Sequence, residues 1–168
     1  MKQLKFSKKS QLKHQAFEDQ GQYRSVKVKK VKKSVLKKKA WSVVSRYVRI
    51  TSADADGNCQ CYTCEKVYPW KKMQAGHGIG GRNNAVLFDL RLIRPQCVGC
   101  NIFARGRYQV FIPRLITELG AKVFMKMAED ANRIVKYTDE DYKNIIKKYT
   151  IDPSDPNGLD IDNNHEII

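Results

Sequence analysis

Apolar positions along this chain fall into a few clear periods, and each predicts an element. Across residues 38–51, Trp41, Val44 and Val48 recur at i, i+3 and i+7, while Val43, Tyr47 and Ile50 form a second stripe. Two apolar stripes on one segment predict a mostly buried core helix. Upstream, Val28, Val31, Val35 and Leu36 make a weaker stripe inside a run dominated by lysine. A full helix there would set like charges four residues apart, so only partial order is expected without a polyanion. Residues 1–25 carry no sustained period and read as a flexible arm.

Further along, Asp54-Ala-Asp-Gly-Asn58 is turn chemistry. Residues 73–79 predict a strand entering a glycine-rich loop, residues 78–84. The apolar runs 85–88 and 90–93 predict the return strand, with Pro95 ending it. Tyr108–Leu119 predicts a helix in which Pro113 is tolerable only near the first turn, and Gly120 closes it. Residues 121–131 predict another helix. Thr138-Asp-Glu-Asp141 resembles a capping box that opens a helix through Tyr149. The Pro-, Asp- and Asn-rich stretch 151–168 is expected to be an acidic disordered tail. No internal repeat is visible, and no apolar run nears the ~20 residues of a membrane span. The basic N-terminus has no apolar stretch behind it, so it is not a secretory signal, and a reducing cytoplasm is the expected compartment.

Charge changes this picture by its distribution. The net is +15 overall, but residues 1–50 hold 16 Lys plus Arg against 2 acids, residues 51–137 hold 13 against 7, and residues 138–168 hold 3 against 8. This predicts a basic arm over residues 1–37, a mildly basic domain over 38–150 and the acidic tail beyond. Such an arm fits nucleic acid, because each neutralised phosphate releases condensed counterions. Lys29, Lys30, Lys32, Lys33, Lys37, Lys38 and Lys39 are its candidate contacts. Nucleic acid is the expected partner.

In a reducing compartment, two Cys-x-x-Cys pairs favour a metal over disulfides. Each such turn aims two thiolates at one ion, so Cys61, Cys64, Cys97 and Cys100 predict one closed structural Zn²⁺ site. Cys59 has poor spacing for a ligand and is taken as a bystander. The 32 residues between the pairs require a hairpin, and with a helix after the second pair the predicted fold is α+β, a zinc-bound treble clef with flanking helices.

His77 falls on the first strand of that hairpin, and Asn101 follows the last cysteine at the expected start of the closing helix. That order is the layout of the HNH or ββα-metal nucleases. In it, a histidine activates water while a divalent ion held from the helix grips the scissile phosphate. Arg82, Arg91, Arg94, Arg105 and Arg107 flank the site as candidate phosphate contacts.

The run Cys61-x-x-Cys64, Gln74-Ala-Gly-His77, Leu87-Phe-Asp-Leu-Arg91, Gln96-Cys-x-x-Cys-Asn101 and Gly106 resembles the NinG (Rap) recombination proteins of lambdoid phages over roughly residues 38–150. The resemblance implies a structure-specific DNA endonuclease acting on Holliday junctions or displaced-strand joints, with catalytic Mg²⁺ or Mn²⁺ at Asn101 and His77 as general base. It also points to branched or duplex DNA and to phage or host recombination proteins as partners. Paired cuts across a junction suggest a homodimer, although no segment declares an interface.

Three positions depart from the wider nuclease pattern. Gly76 stands where a second metal ligand often precedes the histidine, and Asn101 replaces a closing histidine. Leu92 replaces the middle asparagine that braces the hairpin loop, leaving Asn83 or Asn84 as substitutes. Two other readings stay open: a catalytically inactive treble-clef module that only binds nucleic acid, and a sequence-specific homing or packaging-type HNH nuclease. The glycine loop lacks a nucleotide-binding frame, and residues 152–162 put Pro153 where a calcium loop needs its first ligand.

Overall fold

Leu36, Ala40, Val44 and Val48 repeat every four residues, and burying that stripe seats the first helix, α1 (Lys33–Thr51). A computed structural model describes residues 31–80 and 83–151. The helix therefore begins five residues before the segment expected to be helical, inside the lysine-rich run. Two local features offset the charge repulsion: Leu36 is buried, and Lys37 Nζ donates to Asn84 Oδ1 at 2.7 Å. Each fully buried aliphatic side chain contributes about 1.5–3 kcal/mol, more than one like-charge pair at helical spacing removes.

Two small antiparallel sheets follow. β1 (Asn58–Gln60) pairs with β2 (Val67–Pro69), and β3 (Met73–His77) pairs with β4 (Ile93–Cys97) in a register that sets His77 opposite Ile93 and Met73 opposite Cys97. The expected return strand over 85–88 and 90–93 is instead a helical turn, α2 (Asn84–Leu87), and a tight turn, Leu90–Leu92. Val86, Leu87 and Phe88 are all buried, and a run that short has no period to separate strand from helix. Asp89 Oδ1 caps the second turn by accepting from Arg91 N at 3.0 Å.

Pro95 does not end the strand; it lies inside β4. Gly78 N donates to Leu92 O at 2.8 Å, and alternation from that bond puts Ala75 and Pro95 at a pair that exchanges no hydrogen bond. A proline there costs no ladder bond. Its carbonyl accepts from Tyr62 N at 2.9 Å and ties the first cysteine turn to β4.

After β4 the chain makes a five-residue π-type turn, Gly99–Phe103, where a longer helix was expected. Arg105 (φ 50°), Gly106 (φ 89°) and Arg107 (φ 45°) then run left-handed and break the helical path. Three further helices come later: α3 (Tyr108–Leu119), α4 (Ala121–Asp130) and α5 (Asp139–Tyr149). Pro113 sits in the second turn of α3 rather than the first. Phe111 and Leu115, both fully buried, hold the helix on either side, and Gln109, whose carbonyl loses its partner, is exposed. At α5 the capping box is complete, with Asp141 N donating to Thr138 Oγ1 at 3.1 Å and Thr138 N to Asp141 Oδ2 at 2.6 Å.

The β3–β4 hairpin is the centre of this arrangement. Ala75, Leu87, Phe88 and Ile93 join the α1 stripe and Tyr142 of α5 in one core. Val86 and Leu92 join Phe111, Leu115, Phe124 and Met127 in a second. Cysteines and Met73 form the third. The fold is thus mixed α+β with small antiparallel sheets around a four-cysteine cluster.

Candidate functional site

The turn joining β1 to β2 carries Cys61 and Cys64; the end of β4 and the π-type turn carry Cys97 and Cys100. Their four sulfurs lie within 4.8 Å of one another. Four ligands about 2.3 Å from a tetrahedral zinc stand about 3.8 Å apart, and Cys64 Sγ and Cys97 Sγ are 3.8 Å apart. The donor set and spacing fit structural zinc. Burial alone would push the Cys61 thiol up, but backbone N–H groups of Cys97, Thr63 and Cys64 outweigh it and bring it down to about 6. Cys97 N donates to Cys61 Sγ at 3.3 Å, and Arg107 Nη1 lies 3.8 Å from Cys100 Sγ. These donors suit a cluster that carries net negative charge once loaded. Cys59 is buried and points elsewhere, its thiol donating to Arg49 O at 3.0 Å.

Beside the cluster, Gln96 accounts for Gly76. The Gln96 side chain is fully buried, and its Nε2 donates to Thr63 Oγ1 (3.0 Å) and to Gly106 O (2.9 Å). Its Oε1 has no hydrogen-bond partner and faces Gly76, where an added Cβ would lie 2.0 Å away. Glycine is needed there because the amide crosses its Cα, where only a weak Cα–H···O contact fits. The space a second metal ligand would use is filled. Gly76→Ala should therefore lower the thermal midpoint by several degrees, from overpacking of about 1–3 kcal/mol. An unchanged melting curve would mean that Gln96 does not occupy this space.

His77 ends β3. Its ring stacks on Trp41 of α1, with centroids 4.6 Å apart, and its Nε2 lies 3.0 Å from Leu87 O. A carbonyl only accepts, so Nε2 carries the proton and the lone pair of the neutral ring is on Nδ1. Asn101 sits in the π-type turn, and its Nδ2 donates to Gln74 Oε1 at 2.6 Å, which leaves Oδ1 as the oxygen donor it can offer. Both residues line one cleft of about 260 Å³ with Ala75, Ile79, Arg105 and Tyr108. A second cleft of about 390 Å³ shares Ala75, Asn101 and Ile102 and extends to Trp41, Ser45 and Arg49. No carboxylate lines either one.

The expected phosphate contacts divide. Arg105 lines the cleft. Arg91 is spent on a two-pronged pair with Asp89, and Arg94 on Glu118. Arg107 turns to the cysteines. Lys32, Lys33, Lys38 and Lys39 are exposed on or just before α1, whereas Lys37 is half-buried against Asn84. Lys29, Lys30 and Arg82 lie outside the described residues. The loop asparagines bond toward the C-terminal helices: Asn83 Nδ2 donates to Ala131 O (3.0 Å) and Asn84 Nδ2 to Val135 O (2.8 Å). Leu92 is fully buried in the apolar cluster. Sequence reasoning missed Arg49, whose guanidinium donates to Ser45 O and Met73 O and lies 5.7 Å from the Trp70 ring centre. Its only sequence signal was a cation within a helix otherwise read for apolar stripes.

A family model described as bacteriophage lambda NinG protein matches residues 1–155. No curated protein and no solved structure matches the chain. Among the described residues, no helix is long and apolar enough to cross a membrane.

Proposed function

We propose, from the premise that the chain belongs to the bacteriophage lambda NinG family, that it is a zinc-stapled, HNH-like endonuclease that cuts branched DNA with the aid of Mg²⁺ or Mn²⁺. The observation that carries this reading is the shared cleft, lined by an imidazole and a carboxamide that are each oriented by a hydrogen bond. The Leu87 carbonyl fixes the His77 tautomer, so Nδ1 can take a proton from an attacking water. Gln74 holds the Asn101 amide so that Oδ1 can serve a hydrated divalent ion. A neutral oxygen with no carboxylate nearby suits an ion that keeps most of its waters and relies on phosphate oxygens. When bound, that ion would stabilise charge on the phosphate and the leaving oxygen. Arg105 adds a positive charge to the same lining.

Exposed lysines at the start of α1 and the basic residues before it would grip phosphates without reading bases. Residues 1–30 hold 9 Lys plus Arg against 2 acids. Deleting them should flatten the dependence of log affinity on log salt; an unchanged slope would place the DNA grip elsewhere.

The activity itself is tested by incubating a four-way junction and a linear duplex of equal length with the protein and Mg²⁺. Cutting confined to the junction supports the reading. Cutting of one linear sequence favours a homing-type enzyme. Binding without cutting favours an inactive module, a reading that the loss of the middle asparagine to Leu92 also supports.

A further inference from the structure

Phe103 is 82% exposed, although it lies two residues from Asn101 and ends a turn anchored at Cys100. Ile102, beside it, is 53% exposed and lines both clefts. Scattered apolar residues on a surface are ordinary, but the backbone that bears this pair is tied by several hydrogen bonds. Ala104 N donates to Gly99 O (2.8 Å), Gly106 N to Cys100 O (2.9 Å) and Arg107 N to Ala104 O (2.9 Å). The left-handed arginines that follow place backbone strain of about 1–3 kcal/mol each next to the cleft. An exposed aromatic ring next to Ile102, which lines the cleft that also carries Arg105, is suited to a flat, apolar partner attached to a negative backbone.

We infer that Phe103, backed by Ile102, is a stacking wedge for a nucleobase unstacked at a DNA branch point. The inference rests on the proposed DNA-cutting role of the adjoining cleft and supplies its preference for branches. In a continuous duplex every base is already stacked between neighbours, so the ring gains little. At a branch the terminal base pairs expose a π-face, and Phe103 can cover it while the adjoining phosphate enters the cleft of His77 and Asn101. Because the zinc-anchored turn pre-forms the wedge, little ordering cost is added on binding.

The test measures dissociation constants of the full chain for a four-way junction and a linear duplex, without divalent ions, for wild type, Phe103→Ala and Phe103→Trp. Phe103→Ala should bind the junction about 5- to 150-fold more weakly, the range for losing one base–aromatic stack. Its affinity for duplex should change less than twofold, and Phe103→Trp should retain the preference. Zinc content and the melting curve should match wild type in both variants. The wedge is overturned if Phe103→Ala keeps the wild-type ratio of junction to duplex affinity, or if wild type has no such preference. Cutting is read separately with Mg²⁺. A protein that prefers junctions through Phe103 but cuts nothing would sink the nuclease reading and leave the wedge standing.

Discussion

His77→Ala should cut a junction about 10²- to 10⁴-fold more slowly than wild type, the usual worth of a positioned general base. The loss should appear in the single-turnover rate and leave junction affinity nearly unchanged. Alanine also removes the stack on Trp41 and the bond to Leu87 O, so His77→Gln is the sharper variant. Its amide N–H can replace Nε2–H at Leu87, but it has no nitrogen able to take a proton. Both variants should be slow, with zinc retained. Should His77→Gln cut at the wild-type rate, proton transfer at this position would not be part of the reaction. Asn101→Ala should also be slow, and raising the Mg²⁺ concentration should recover it only weakly, because the waters remain but the protein's oxygen is gone.

Losing the metal should be more drastic still for the fold. Structural zinc sites bind with apparent energies of about 10–16 kcal/mol, comparable to or above the ~5–15 kcal/mol stability of a whole domain. The cysteine cluster joins the β1–β2 turn, the end of β4 and the turn bearing Asn101. Cys61, Cys64, Cys97 or Cys100→Ser should each abolish tight zinc and the cooperative melting transition, and take junction cutting with them. Cys59→Ser should keep about one zinc per chain, since its thiol faces Arg49 O. Metal content by thiol-release titration and thermal unfolding decide this. A wild-type protein that folds fully without metal would refute the assignment.

Residues whose chemistry demands a fixed spacing were the legible ones. Paired cysteines, the capping box at Thr138 and the stop at Gly120 each act within a few positions of sequence, and the structure places them as their spacing implied. The place of His77 on the hairpin was legible too, at the end of the strand that pairs it with Ile93. What sequence concealed was long-range. Arg94 finds Glu118, 24 residues away, and Asn83 finds the end of α4, so neither partner could be read locally. The run Val86-Leu87-Phe88 is apolar throughout because it touches two cores, which erases the period that separates helix from strand. Pro95 looked like a stop because its place in the ladder depends on pairing register. Gly76 looked like a missing ligand until Gln96 was seen to fill the space.

Metal add-back to the chelated protein tests the central claim most directly. Wild-type protein treated briefly with a chelator that strips Mg²⁺ but leaves the cysteine-bound zinc is mixed with a four-way junction, and product is followed as Mg²⁺ or Mn²⁺ is restored. Cutting at the branch that is absent before the addition and appears with it, at constant zinc content, is the predicted result. Tight junction binding with no cutting under any divalent ion would contradict it and leave a zinc-stapled protein that holds branched DNA without cleaving it.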